Sequence, residues 1–294
     1  PMAGVPALRQ SLAAKTSSFY NIPVDTESEV TIVSGATEAI FAAIHCCVSP
    51  GDEVIMFDPA YDCYEPAVTL AGGRPIRLPL LPPGYRIDWQ RVADSITPRT
   101  RMIMINTPHN PTATVWTAQD IHSLAALVRN TGIIILSDEV YEHMVFDESE
   151  HVSVLQVPEL AHRAVAISSF GKTFHATGWK LGYVTAPENL THEIRKIYQF
   201  LAFAANTPMQ IAAAEFLSSN PRYEKSVSTV MQQKRDLFVD RLHKSRFRLL
   251  PCAGAYFQIV DYSDISDRPD LDFAIHLTET LGVASIPVSA FYEN

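Results

Sequence analysis

Residues 133–141 read IIILSDEVY, an apolar run followed, after Ser137, by an acidic pair. An unbroken apolar run of this length is typical of a parallel strand that is covered on both faces of its sheet. Ligands of parallel α/β sheets bind beyond the carboxyl ends of the strands, so the polar residues after such a run are candidates for a functional site. This stretch therefore predicts a buried strand with Asp138 at its carboxyl end.

The same pattern of an apolar run followed by polar residues recurs over the first two thirds of the chain. Helix-like stretches, such as residues 38–48 and 118–130, separate these runs. The alternation of strand and helix predicts an α/β domain, with a mostly parallel sheet flanked by helices and right-handed crossovers. The predicted strands are residues 30–33, 53–57, 102–105, 133–136, 164–167 and 181–184.

The last third of the chain has a different pattern. From residue 188 to about 246 it is almost wholly helical, and residues 225–243 contain neither Gly nor Pro, which predicts a long connecting helix. A smaller α/β unit is expected to follow, with strands at 247–250, 256–260 and 283–287 around a helix at 271–281. We therefore expect a large domain over residues 1–225 and a smaller, incomplete C-terminal domain over residues 226–294 that includes the connecting helix.

Composition and charge argue against several classes of protein. The 294 residues carry 23 Lys and Arg against 32 Asp and Glu, a net charge of -9 without a segregated basic patch, so no nucleic-acid partner is expected. The longest apolar runs contain about ten residues, half of what a membrane span needs. Four cysteines without a CxxC pair favour reduced thiols in a cytoplasmic protein over disulfides or a metal site. The start at Pro1 does not have the pattern of a signal peptide.

Polar clusters follow three other predicted strands, and two of them leave alternatives open. The turn SGATE at 34–38 could bind a phosphate at a helix N-terminus, or Ser34 or Thr37 could simply cap that helix. Asp138 could likewise be a helix cap, or it could accept a charged hydrogen bond from a protonated ring nitrogen. The loop NTPHNP at 106–111 places two amides between prolines and suits either a plain turn or a ligand contact.

Lys172 lies in the fourth cluster, SSFGKT at 168–173. Most lysines are solvated surface charges, but small and aromatic neighbours after a buried strand favour a nucleophilic amine here. The GKT triplet matches the end of a phosphate-binding P-loop, GxxxxGK[ST], but Ala166 replaces the first required glycine and lies within the strand. A P-loop is therefore not expected, and the chain also has no GxGxxG after its first strand to indicate dinucleotide binding.

Five segments taken together resemble the class I and II aminotransferases of pyridoxal-phosphate fold type I. They are SGATEAI, FDPAYDCYEPA, NTPHNPTATVW, SDEVYEHM and SSFGKTFHATGWKLGY, and they occur in the order that this family has. The similarity is greatest to the subgroup of bacterial methionine aminotransferases and kynurenine aminotransferases. The resemblance implies the fold type I architecture, pyridoxal 5'-phosphate as cofactor and a homodimer as the assembly.

The resemblance also implies a role for each matching residue. Lys172 matches the lysine that forms a Schiff base with the cofactor, and Asp138 matches the acid that pairs with its ring nitrogen. The other matching residues are Tyr141 and Asn110 at the ring hydroxyl oxygen, Tyr61 stacked on the ring, Gly35, Ala36, Thr37, Ser169 and Lys180 at the phosphate, and Asn106 as a supporting amide; Asn110 is also the candidate substrate contact.

The implied reaction is amino transfer from an amino acid to a 2-oxo acid. Methionine and aromatic amino acids are the expected donors, partly because the candidate lining residues Tyr61 and Tyr64 are aromatic and uncharged. A pyridoxal-phosphate C–S lyase of the same fold is the alternative. A P-loop nucleotide hydrolase and a non-catalytic regulatory domain that binds the cofactor are more remote alternatives.

The sequence departs from the family pattern at two positions. Lys180 stands where the wider family often has Arg, and Ala113 stands where the NPTG loop usually has Gly, although the subgroup shares both changes. Family members also begin earlier, with an N-terminal arm, and continue past the last predicted strand to an arginine that grips the substrate carboxylate. We therefore expect a chain bounded at Pro1 and Asn294 to transaminate poorly.

Overall fold

A computed structural model describes residues 1–292, and its centre is a seven-stranded sheet. The strand order is β1-β7-β6-β5-β4-β2-β3, in which β7 runs antiparallel to β1 and β6 and all other neighbours are parallel. The predicted α/β fold with a mostly parallel sheet is confirmed. The strands are β1 (Val30–Val33), β2 (Glu53–Asp58), β3 (Arg74–Pro79), β4 (Thr100–Asn106), β5 (Ile134–Asp138), β6 (Ala164–Ser169) and β7 (Gly182–Thr185).

Helices cover both faces of this sheet. Met102 and Met104 of β4 share one core cluster with α2 and α8, and Ile103 and Ile105 share a second cluster with α5. Because each central strand is buried on both sides, it reads as a continuous apolar run. The helices are α1 (Pro6–Tyr20), α2 (Ala36–Cys47), α3 (Tyr64–Leu70), α4 (Trp89–Ser95), α5 (Ala118–Val128), α6 (Pro158–Ala161), α7 (Phe170–Thr173), α8 (Glu188–Leu201), α9 (Thr207–Ser219), α10 (Tyr223–Leu242) and α11 (Asp270–Leu281).

The sequence pattern missed strand β3, which has Pro75 and Pro79 within it. Proline cannot donate to a ladder, so inside a sheet it normally excludes a strand. β3 tolerates both prolines because it lies at the sheet edge, where β2 is its single neighbour among the described residues.

The C-terminal part follows the prediction in part. α10 is the expected long helix, α11 is the expected shorter one, and β8 (Arg248–Leu249) pairs antiparallel with β9 (Val260–Asp261). The predicted strand at 283–287 is wrong: a strand needs a neighbouring backbone to complete its hydrogen bonds, and in the described chain this segment belongs to no ladder. The predicted boundary after residue 225 falls inside α10 and stays a prediction, and residues 293–294 of the predicted C-terminal domain lie outside the described residues.

The register of the sheet determines where the site can form. Asn106 at the end of β4 pairs with Asp138 at the end of β5, and Asp138 pairs in turn with Ile167 of β6. Carboxyl ends of three adjacent strands therefore meet at one edge. Over residues 1–292, none of the helices combines the length and the apolar character needed to cross a bilayer.

Candidate active site

One cavity at this edge brings together all eleven residues that the sequence singled out. It lies between the N-terminus of α2, the ends of β4, β5 and β6, and the segment after α7. The lining residues from that set are Gly35, Ala36, Thr37, Tyr61, Asn106, Asn110, Asp138, Tyr141, Ser169, Lys172 and Lys180. Residues from five separate motifs thus share one concave site, which is the usual form of a small-molecule site.

The α2 end of the cavity has the properties of an anion site. Gly35 is the residue before α2, has a φ of 96°, and does not cap the helix with a side chain. A Cβ on Gly35 would lie 3.5 Å from Lys180 Nζ, so the glycine leaves room for a cation beside the helix end. The first N–H groups of a helix together with a lysine suit a phosphate. The alternative that Ser34 or Thr37 caps the helix is not found.

Asp138 also lines the cavity and is buried. Burial raises the pKa of its carboxyl from the usual 3.8 to about 6, against the lowering effects of hydrogen bonds from Tyr64 and Val140 and of the charge of Lys172. Tyr64 Oη donates to Oδ2 at 2.7 Å, and the Val140 N–H donates to Oδ1 at 3.2 Å. A carboxylate held at a buried position gains most from a cationic partner, such as a protonated ring nitrogen.

Two asparagines define the loop between β4 and α5. Asn106 Nδ2 donates to the Asp138 carbonyl at 2.8 Å, and Asn106 Oδ1 accepts the Asn110 N–H at 2.7 Å. The nitrogen and the oxygen of the Asn106 amide are therefore both hydrogen-bonded to backbone groups, at Asp138 and Asn110. This agrees with the expected role of Asn106 as a supporting amide. Asn110 presents its own side chain to the cavity. Burial lowers the pKa of nearby His109 to about 4, so this imidazole is neutral at pH 7.

Aromatic side chains form much of the remaining wall. Tyr61 is half-buried, and its ring meets the Tyr64 ring edge-on with centroids 5.8 Å apart. Tyr141 lies beside the cavity floor, where burial raises the pKa of its hydroxyl and keeps it protonated. A planar, partly charged ligand would find both stacking faces and a hydroxyl donor here.

Lys172 sits on the single helical turn α7 directly after β6. Its Nζ donates to Tyr256 Oη at 2.8 Å and lies 5.5 Å from the centroid of the Tyr141 ring. The amine is therefore held inside the site and is not a freely solvated surface charge. Ala166 lies within β6, so the GKT triplet has no glycine-rich loop before it and does not form a P-loop.

Two residues at the site, Tyr64 and Tyr256, are not among those to which the sequence assigns a cofactor role. Tyr64, expected only as a lining residue, donates to the candidate ring-nitrogen partner Asp138. Tyr256, which contacts Lys172, lies 84 residues away in sequence. Tyr64 carried a signal because it belongs to the FDPAYDCYEPA segment, whereas nothing local marked Tyr256.

Known proteins resemble this chain over nearly its whole length. The family model described as aminotransferase class I and II matches residues 1–293. A methionine aminotransferase of Escherichia coli is 49% identical over 291 residues, which is 99% of this chain and 75% of the relative. A probable N-succinyldiaminopimelate aminotransferase of Mycobacterium tuberculosis is 35% identical over 99% of the chain and 74% of its own length.

Solved structures agree with these matches. The structure of an E. coli methionine aminotransferase superposes with a TM-score of 0.98 at 48% identity, over 100% of this chain and 77% of that one. The N-succinyldiaminopimelate aminotransferase of M. tuberculosis gives 0.97 at 34% identity, over 100% and 77%. The chain belongs to the class I and II aminotransferases and is a transaminase of fold type I.

Proposed function

We propose that this enzyme binds pyridoxal 5'-phosphate in the cavity and that Lys172 is the residue that joins it covalently. The family uses this cofactor, and the chemistry of the donor set fits it. The cavity is lined by the buried carboxyl of Asp138, by the N-terminus of α2 with Lys180 beside it, and by the held amine of Lys172. The observation that carries the proposal is that one cavity combines a candidate anion site, a buried acid and a held lysine amine.

In this arrangement the chain's own residues bind, orient and move protons. When bound, the cofactor supplies an aldehyde for amine exchange and a ring that accepts the electron pair of the substrate α-carbon. Asp138 would keep the ring nitrogen protonated, and the α2 N-terminus with Ser169 and Lys180 would hold the phosphate. Tyr61 would stack on the ring, and Asn110 and Tyr141 would hydrogen-bond its hydroxyl oxygen. Lys172 Nζ would take the proton from the substrate α-carbon as a general base and return it as a general acid.

We propose methionine and aromatic amino acids as donors and a 2-oxo acid as acceptor. The E. coli relative is named a methionine aminotransferase, and a mouse relative 34% identical is named a kynurenine–oxoglutarate transaminase. The apolar and aromatic wall formed by Ile40, Tyr61 and Tyr141 supports this choice. A panel of amino acids assayed with one fixed 2-oxo acid tests it, and aspartate as the best donor would refute it.

We propose a homodimer in the cytoplasm as the working form. Phe200 and Phe203, at and after the end of α8, are 84% and 62% exposed, and Trp179 after α7 is 57% exposed. Large apolar side chains at such exposure favour burial against a second protein surface. The four cysteines are all free, which suits a reducing compartment. Analytical ultracentrifugation with a Phe200→Glu variant tests the dimer, since a monomeric wild type would contradict it.

Reductive labelling tests the covalent role of Lys172. Borohydride reduction of the protein loaded with cofactor, followed by peptide mapping, should place the label on Lys172. The matched control is Lys180→Ala, which should weaken cofactor binding but leave the site of labelling unchanged. A label on Lys180 of the wild type, or on another lysine, would overturn the assignment.

A further inference from the structure

We propose that Tyr256 is a positioning residue that holds the Lys172 amine at the place where it reacts. This inference rests on the proposed role of Lys172. Tyr256 Oη accepts a hydrogen bond from Lys172 Nζ at 2.8 Å, and the Tyr256 ring centroid lies 5.4 Å from the same nitrogen. Within the described residues, Tyr256 therefore connects the C-terminal part of the chain to Lys172 Nζ, the candidate reactive atom.

The backbone before Tyr256 is fixed to both loops that carry the candidate cofactor residues. The Ala253 and Gly254 N–H groups donate to the Ala113 carbonyl at 2.9 and 3.0 Å, and the Ala255 N–H donates to the Met144 carbonyl at 2.8 Å. Gly254 fits so closely that a Cβ there would lie 2.7 Å from the Met144 oxygen. These contacts fix the backbone next to Tyr256 to the two loops of the site.

Tyr141 completes the arrangement from the floor of the cavity. Its Oη lies 3.4 Å from Tyr256 Oη, and the two rings meet edge-on with centroids 5.2 Å apart. Because Tyr141 stays protonated, its hydroxyl donates to the Tyr256 oxygen, which also accepts from Lys172. A candidate cofactor contact, a positioning residue and the candidate reactive amine thus form one hydrogen-bonded chain.

Holding one N–H of a lysine restricts a side chain that otherwise samples many rotamers. A restricted amine spends more of its time within reach of an aldehyde in the cavity, which raises the rate of coupling without changing how the rest of the ligand binds. In the coupling step the amine nitrogen and the aldehyde carbon form a C=N bond and one water leaves. Tyr256 therefore acts on the rate of this step and not on the affinity that precedes it.

The test is Tyr256→Phe, which removes the hydroxyl and keeps the ring. Stopped-flow absorbance should show the visible band of the coupled cofactor growing about tenfold more slowly, the ratio for one lost hydrogen bond of ordinary strength. Pyridoxine 5'-phosphate carries an alcohol in place of the aldehyde and cannot couple, so its affinity, measured by fluorescence titration, should be unchanged. Turnover should show a lower kcat with an unchanged KM.

The matched control is Tyr262→Phe, which removes a hydroxyl of the same unit that bonds to the Arg268 carbonyl away from the cavity. It should couple as fast as the wild type. Wild-type coupling speed in Tyr256→Phe would overturn the inference, and so would a parallel loss of pyridoxine 5'-phosphate affinity, because that would mean a general structural role. Absence of any label on Lys172 in the wild type would instead refute the proposed function on which the inference rests.

Discussion

Asp138→Asn should raise the unfolding free energy of the cofactor-free protein. It should lower cofactor affinity or turnover in the loaded enzyme. The carboxyl is buried, and its pKa lies near 6 instead of the usual 3.8 because burial disfavours the charged form. At neutral pH the ionised group therefore opposes folding. The amide has no charge to desolvate, yet its oxygen can still accept the Val140 N–H that now reaches Oδ1 at 3.2 Å.

The size of the effect follows from the same pKa difference. A rise from 3.8 to about 6 corresponds to about 3 kcal/mol, since each pKa unit is worth about 1.4 kcal/mol. The shifted pKa already includes the lowering effect of the hydrogen bond from the Tyr64 hydroxyl, so this contact needs no separate correction. The expected gain in unfolding free energy of the cofactor-free protein is therefore about 3 kcal/mol above about pH 7.

The pH dependence provides the sharpest check. Between pH 3.8 and about 6 the folded wild type holds a proton that the unfolded chain has released, so the contribution of Asp138 to stability rises as the pH falls. The advantage of the variant should be full above about pH 7 and vanish near pH 4. Urea titrations of both proteins at several pH values, followed by circular dichroism, measure it.

The loaded enzyme should respond in the opposite direction. An amide cannot hold a proton on a ring nitrogen as a carboxylate does, and a hydrogen bond to a charged group is worth about 1.5–3 kcal/mol. Cofactor affinity or turnover should therefore fall at least tenfold. An Asn variant that is no more stable than the wild type at neutral pH, or whose advantage is independent of pH, would refute the reasoning.

Three further substitutions probe the surroundings of the site. Tyr64→Phe removes the hydroxyl that donates to Asp138 and should lower kcat/KM by about tenfold to a hundredfold in steady-state assays; an unchanged value would contradict the contact. Lys15→Met leaves the buried Glu142 without its cation and should cost about 3–5 kcal/mol in urea unfolding, with most of the loss recovered in the double variant with Glu142→Gln. Ala113 is buried at a φ of 59°, so Ala113→Val should cost at least about 2 kcal/mol by calorimetry, whereas Ala113→Gly should change stability by less than about 1 kcal/mol.

Strands that an apolar run marks in the sequence were predicted correctly. The errors concern strands whose formation depends on which neighbouring strand they pair with. The central strands were predicted because burial on both faces forces each of them to be apolar throughout. Strand β3 was missed because its two prolines are compatible only with an edge, and an edge is a property of the whole sheet. The segment 283–287 was predicted as a strand because its residues favour extended backbone, but in the described chain no neighbouring strand pairs with it.

The sequence by itself determined the α/β class, the polar residues at the strand ends and the resemblance that assigns roles to Asp138 and Lys172. These features are local, since the residue types and their order along the chain carry them. Only the tertiary structure decided that eleven residues from five motifs share a cavity, that Tyr64 bonds to Asp138, and that Tyr256 reaches Lys172 from 84 residues away. Such contacts depend on how strands order in the sheet and on which backbone groups hold the loops, and no short stretch of sequence contains that information.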